Sequence, residues 1–146
     1  MRFAYPVEIR TMTEDEGGGF LVEFPDWNGA VTDGADLDEA MENARDCLDE
    51  LLAYHIRKRL PFPSPSAAGN RRLIAPEAGI ALKAAFWLSL YEHGMDAEAL
   101  AERLGDVSSH DIDRLLNPRL KTHPEPIQRA LAALGKRVVV ELADAA

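Results

Sequence analysis

Side chains able to ligate a metal or move a proton are plentiful in this sequence, but few stand at the spacings such chemistry requires. His55, His93, His110 and His123 form neither H-x-x-x-H nor H-E-x-x-H, the arrangements that bring two imidazoles to one helix face around zinc. Cys47 is the single cysteine, so it can build neither an internal disulfide nor a multi-cysteine metal site, and it reads as a packing residue in a reducing compartment. No G-x-S-x-G elbow offers an activated serine. Glu8, Glu23 and Asp26 are the carboxylates whose strand-end positions suit a two-metal nuclease, although ordinary surface acid explains them more simply. Gly17-Gly18-Gly19 invites comparison with a phosphate loop, yet these glycines lead into a strand, whereas a dinucleotide fingerprint opens a helix and a P-loop continues into Gly-Lys-Ser/Thr. The expectation is a protein that is not an enzyme, with no cofactor and no metal.

Charge points to binding. The formal net charge is −9, which argues against a nucleic-acid surface spread over the whole chain. Residues 1–70 hold 6 Lys/Arg against 14 Asp/Glu, while residues 71–146 hold 10 against 11. Within the second stretch, Arg114, Arg119, Lys121, Arg129, Lys136 and Arg137 face only Glu125 over residues 114–137, a local excess able to meet phosphates.

The elements that would position these groups follow from periodicity. Phe3, Tyr5, Val7 and Ile9 alternate with more polar neighbours, which is the signature of a strand with one buried face, and Pro6 favours an edge position there. Phe20, Val22 and Phe24 repeat the pattern after the glycines, predicting an antiparallel hairpin whose turn requires positive φ. Ala30–Thr32 offers a third short strand. Asp36 followed by Glu39 resembles a capping box, and from Leu37 to about Arg59 no proline or glycine interrupts a stripe of Ala40, Met41, Ala44, Leu48, Leu51, Leu52 and Ile56. That stripe should lie on the sheet, leaving Asp38, Glu42, Asp46, Asp49 and Glu50 in solvent or at an acidic docking surface. Prolines at 61, 63 and 65 end the helix in an extended connector over 61–69. Arg72–Ala75 then returns as a fourth strand, giving ββ(β)αβ for residues 1–76.

From 77 to 146 the pattern is helical: Ile80–His93, Ala97–Leu104, Ser109–Leu116 and Pro126–Leu134, followed by a β-branched run, Val138–Val140, read as a terminal strand able to pair across subunits. The middle pair reads as a helix-turn-helix. Leu100, Leu104, Ile112, Leu115 and Leu116 point inward, Gly105 turns the chain and Ser108 caps the second helix. Ser109, His110, Asp113 and Arg114 then face outward, the first of them at the N-terminal end of the helix where base edges are reached, with Arg114, Arg119 and Lys121 for phosphates. A plain helical hairpin is the alternative, and Asp111 and Asp113 count against DNA because carboxylates repel phosphates.

Tyr5-Pro6-Val7, Gly19-Phe20-Leu21-Val22-Glu23-Phe24-Pro25-Asp26, Thr32-Asp33-Gly34-Ala35-Asp36-Leu37-Asp38-Glu39-Ala40 and the long helix into a proline-rich exit together resemble the HicB antitoxins. The second half is similar to the Xre/Cro-type helix-turn-helix of one branch of that family, although Asp106 stands as one extra residue in the turn. The resemblance implies an α+β protein: a degenerate, non-catalytic, partial ribonuclease H-like domain over 1–76, then a small all-helical helix-turn-helix domain with a C-terminal strand over 77–146. It further implies an antitoxin that neutralises a HicA-type mRNA-cleaving toxin and represses its own operon by binding operator DNA, as a homodimer or higher homo-oligomer; separately, the sequence has neither an apolar run near the roughly 18 residues that span a bilayer nor a signal-peptide h-region, so the cytoplasm, away from any membrane, is expected. On that reading Phe24, Asp26, Trp27 and Asp33 are expected at the toxin face, with the core as the other place for Trp27. Ser108, Ser109, His110, Asp113, Arg114, Arg119 and Lys121 are expected at DNA. A metal-dependent nuclease of ribonuclease H type and a stand-alone transcription regulator are the alternatives.

Overall fold

A computed structural model describes residues 1–144. The protein is α+β, and its internal contacts divide it into two compact units: Met1–Leu51 with Pro63–Glu77, and Leu52–Phe62 with the chain from Ala78 onward.

In the first unit, β1 (Tyr5–Thr11), β2 (Phe20–Phe24), β3 (Ala30–Gly34) and β4 (Arg72–Ile74) form an antiparallel sheet in the order β3-β2-β1-β4. Gly17, Gly18 and Gly19 make the β1–β2 turn at φ 103, 70 and 79°, and Met12 N–H donates to the Gly19 carbonyl at 2.8 Å to close it. Only glycine adopts three such angles in succession without strain, so the turn is as the sequence predicts. Pro6 differs from expectation, because β1 is an interior strand. Proline is tolerated there because the β1–β2 register begins at Glu8, so the missing Pro6 N–H removes no rung to β2.

The pairing places Ile9 opposite Val22 and Val22 opposite Thr32 on one face, and Glu8 opposite Glu23 and Glu23 opposite Val31 on the other. Helix α1 (Leu37–Lys58) covers the first face. Its stripe Ala40, Ala44 and Leu48 is fully buried, as are Val22 and Phe24, with Val7 nearly so. Gly34 sets how closely helix and sheet approach: a Cβ there would lie 2.3 Å from the Ala40 backbone nitrogen. The Asp36 carboxylate accepts the Glu39 N–H at 2.9 Å and caps the helix start.

The proline-rich connector is pinned to this unit. The hydroxyl of Tyr5 donates to the Pro63 carbonyl at 2.8 Å, and the Arg71 guanidinium donates to the carbonyls of Ala67 and Ala68. Burial of Tyr5 pushes its phenol up to about 12, with the Asp26 charge adding to the effect.

The second unit takes the end of α1, from Leu52, together with α2 (Ala78–Glu92), α3 (Ala97–Leu104), α4 (Ser109–Leu116) and α5 (Pro124–Ala133). Leu52, Ile56, Phe86, Leu90, Leu100, Ile112, Leu116 and Ile127 form its core. The expected terminal strand is absent among the described residues: 136–144 carry no ladder, and Val139 and Val140 are 82% and 81% exposed. β-branched residues favour an extended chain, but a strand forms only where another strand supplies hydrogen-bond partners, and no strand among the described residues does so.

Tyr5→Phe is expected to lower stability by about 1 kcal/mol in urea titrations at neutral pH, because the Pro63 hydrogen bond is lost. A phenol pKa raised by folding gives stability that is complete below pH 10 and is lost as pH climbs toward 12. The gap between wild type and Tyr5→Phe should therefore narrow across that window, and a constant gap would contradict the assignment.

Candidate functional site

Two surfaces merit description, one in each unit. In the second, α3 and α4 are eight residues each, joined through the four residues Gly105 to Ser108. The α3 start is capped by the Asp96 carboxylate, which accepts the Ala99 N–H at 2.8 Å. Its end is closed by Gly105 at φ 85°, whose N–H donates to the Ala101 carbonyl. A left-handed residue of this kind is the usual helix C-terminal stop. Helix α4 begins with a reciprocal capping box: the Asp111 N–H donates to Ser108 Oγ at 3.1 Å, and the Asp111 carboxylate accepts the Ser108 N–H and hydroxyl, both at 2.9 Å.

These contacts sort the residues expected at DNA. The Ser108 hydroxyl is committed to the cap. Asp111 is committed too, and the Ser108 hydrogen bonds hold its carboxyl below the usual range. Asp113 accepts from Arg59 at 3.0 Å, so its charge is offset within the unit. Ser109, His110 and Arg114 are exposed on α4, and Arg119 and Lys121 are exposed in the following segment. Of the basic excess, Arg129 pairs with Asp106 and Lys136 with Glu92, whereas Arg114, Arg119, Lys121 and Arg137 have no ion pair among the described residues. The additional Asp106 therefore has a structural role: it anchors the turn to α5 through Arg129, which holds its carboxyl below the usual range.

Sequence reasoning missed Lys83. It is 4% exposed, and its ammonium donates to the carbonyls of Asn117 and Leu120 and to the Thr122 hydroxyl at 2.9 Å. Burial lowers its pKa, as desolvation of an ammonium must. Three acceptors satisfy the cation and fix the segment carrying Arg119 and Lys121. The available signal was a lone cation inside the otherwise apolar run Ile80-Ala81-Leu82-Lys83-Ala84-Ala85-Phe86-Trp87.

In the first unit the four residues expected to face a toxin have different environments. Phe24 is fully buried and Trp27 is 6% exposed, packed edge-to-face on Tyr5 with ring centroids 5.1 Å apart. Both belong to the core, so they support a surface instead of forming it. The Asp26 carboxylate accepts the Ser66 N–H at 2.9 Å and its hydroxyl at 3.1 Å, latching the connector. Asp33 is exposed on β3. It stands on the face of the sheet opposite α1, in register with Leu21 and next to the row Glu8, Glu23, Val31. On that face Arg10 is engaged by the Glu16 carboxylate at 2.9 Å, while Val31 on β3 is 54% exposed. The face therefore carries Glu8, Glu23 and Asp33 beside apolar area, with Arg10 as the cation near Glu23. Among the described residues, no group of three or more His, Cys, Asp or Glu side chains is gathered so as to hold a metal ion, and no helix is long and apolar enough to cross a membrane.

Comparison with known proteins gives a consistent picture. A family model described as HicB_like antitoxin of bacterial toxin-antitoxin system matches residues 4–85. The chain is 31% identical to Antitoxin HicB of Escherichia coli (strain K12) over 136 residues, covering 92% of this chain and 95% of that protein. It is 29% identical to Antitoxin HicB of Pseudomonas fluorescens (strain Pf0-1) over 144 residues, covering 96% and 94% respectively. Antitoxin HicB 1 of Photorhabdus laumondii is 25% identical over 138 residues, covering 94% and 86%.

Lys83→Met keeps most of the buried volume while removing the ammonium. It is expected to cost about 1–3 kcal/mol, the range for hydrogen bonds to a charged donor, and to speed amide exchange over residues 117–122. Unchanged exchange there would show that the lysine does not organise the segment.

Proposed function

The chain belongs to the HicB-like antitoxin family of bacterial toxin-antitoxin systems, and from that membership we propose that its first unit occludes a HicA-type RNA-cleaving toxin while its second represses the operon at operator DNA. The observation that carries the proposal is the division of charge between the units. The first holds 5 Lys/Arg against 15 Asp/Glu, a net of −10, and the second 11 against 10, a net of +1. A protein that cleaves RNA presents cationic side chains to its substrate, and an acidic, partly apolar sheet face competes for them. Glu8, Glu23, Asp33 and Val31 supply that face, with Phe24 and Trp27 as its support.

For DNA, the support is a capped α4 whose Ser109, His110 and Arg114 are exposed, followed by Arg119 and Lys121 on a segment clamped by Lys83. The two carboxylates that weigh against DNA are both engaged, Asp111 in the cap and Asp113 by Arg59. Helix-turn-helix proteins read paired half-sites as dimers. The exposed Val139 and Val140 suit pairing with the same segment of a second copy, which would bury them and complete a strand ladder.

Two measurements test the two halves. Glu8→Lys turns the Glu8–Glu23 like-charge pair into an opposite-charge pair, so folding stability should hold or rise by a few tenths of a kcal/mol. Affinity for the co-purified toxin should fall at least about tenfold, and undiminished affinity would remove this face from the interface. For DNA, each lost phosphate contact flattens the slope of log affinity against log salt by about 0.9. Arg114→Ala with Arg119→Ala should show such flattening, and an unchanged slope would exclude these residues from phosphate contact.

A further inference from the structure

The last turn of α1 and the segment after α4 enclose a cleft of about 330 Å³. Arg57, Arg59 and Arg119 line it with Asn117, and Asp113 is the one carboxylate in its wall. Three guanidinium groups against one carboxylate leave two positive charges in a small space. The carboxylate is already occupied by Arg59, at 3.0 Å. Arg59 is held in place: its guanidinium lies 5.4 Å from the centre of the Trp87 ring, and Nη1 donates to the Ile56 carbonyl at 3.1 Å. The side chains of Arg57 and Arg119 make no hydrogen bond or ion pair among the described residues, and both are exposed. The cleft thus has a fixed back wall and two uncommitted arginines at its mouth.

We propose that this cleft receives a backbone phosphate of duplex DNA, which makes the last turn of α1 part of the nucleic-acid surface. The proposal rests on the DNA-binding reading above and extends it to residues outside the helix-turn-helix. Two observations favour a duplex backbone as the source of the phosphate. Asp113 and Leu116 in the wall belong to α4, the helix whose Ser109, His110 and Arg114 are exposed, so the cleft continues that surface. In addition, Arg57, Lys58 and Arg59 form a cationic run at the end of α1, assigned by its contacts to the same unit as α4. Cations at a helix C-terminus also complement the helix dipole. That effect alone, however, does not bring Arg119 from a distant part of the chain to the same cleft. The planar guanidinium fork matches phosphate oxygens, so Arg57 and Arg119 would clamp the backbone and set the register of α4 without reading bases.

The test uses the full chain, wild type and Arg57→Gln, with a duplex from the DNA directly upstream of the gene and an unrelated duplex of equal length. Affinity is measured from about 50 to 200 mM salt, the range over which phosphate contacts dominate. Arg57 makes no contact that the fold relies on, and an unaltered thermal unfolding midpoint would verify this. The expected result is a loss of about three- to tenfold on both duplexes, with the log–log slope flattened by about 0.9 and with Arg57→Lys keeping the wild-type slope. If Arg57→Gln retains wild-type affinity and slope while Arg114→Gln weakens binding, the cleft is not a phosphate site and the proposal is overturned, although the helix-turn-helix reading survives. If the wild-type chain binds neither duplex, both are overturned together.

Discussion

A buried donor must find an acceptor, and in this chain that constraint fixes two segments that lack regular secondary structure. Lys83 is the clearest case. Its ammonium is out of water, and an uncompensated charge there would be costly. The carbonyls of Asn117 and Leu120 and the Thr122 hydroxyl therefore converge on it. The segment so ordered is short and basic, and would have little reason to hold one conformation by itself. In the first unit the Tyr5 hydroxyl plays a similar part, fastening the proline-rich connector through the Pro63 carbonyl. Asp26 adds a second fastening through Ser66. Polar pairing thus turns two stretches that look like linkers into defined parts of the fold.

The same accounting reshapes the electrostatics. A sum over residues 114–137 suggests six cations against one acid, but Arg129 and Lys136 are spent on Asp106 and Glu92. Conversely, the acids that would repel a phosphate backbone near α4 are engaged by the Ser108 cap and by Arg59. The charge a partner meets is what remains after internal pairing. That residue of charge is basic around α4 and the following segment, and acidic on the open face of the sheet, where Glu8 and Glu23 stand opposite each other and Arg10 is committed to Glu16. Like charges placed directly across a ladder cost stability, and these two stand on the face of the sheet opposite α1.

Much of the architecture was legible in the sequence, because the features that specify it are local. Alternation identified β1 and β2, three glycines identified the turn at positive φ, and Ser108 identified the start of α4 within a residue. The stripe from Ala40 to Ile56 identified α1, since side chains three and four apart share a helix face. The family resemblance drew on the same short stretches. Where sequence reading went astray, the missing information was non-local. Pro6 suggested an edge, yet β1 is interior, because β4 arrives from more than 60 residues away in the chain to pair with it. Val138–Val140 has strand propensity but, among the described residues, no neighbouring strand to complete a ladder.

Candidate sites followed the same division. Residue type and spacing showed no nucleophile or metal motif in the sequence, gave α3 and α4 the spacing of a helix-turn-helix, and pointed to Ser109, His110, Asp113 and Arg114 as its outward polar residues, with Arg119 and Lys121 beyond them. Only the tertiary structure decided which charges are already spent, that Phe24 and Trp27 are buried, and that the end of α1 lies in a cleft with Arg119. The reason is physical: propensity and periodicity act over a few residues and are written in the sequence directly. Burial and ion pairing depend on what the fold brings within a few ångströms, and no single stretch of sequence records that.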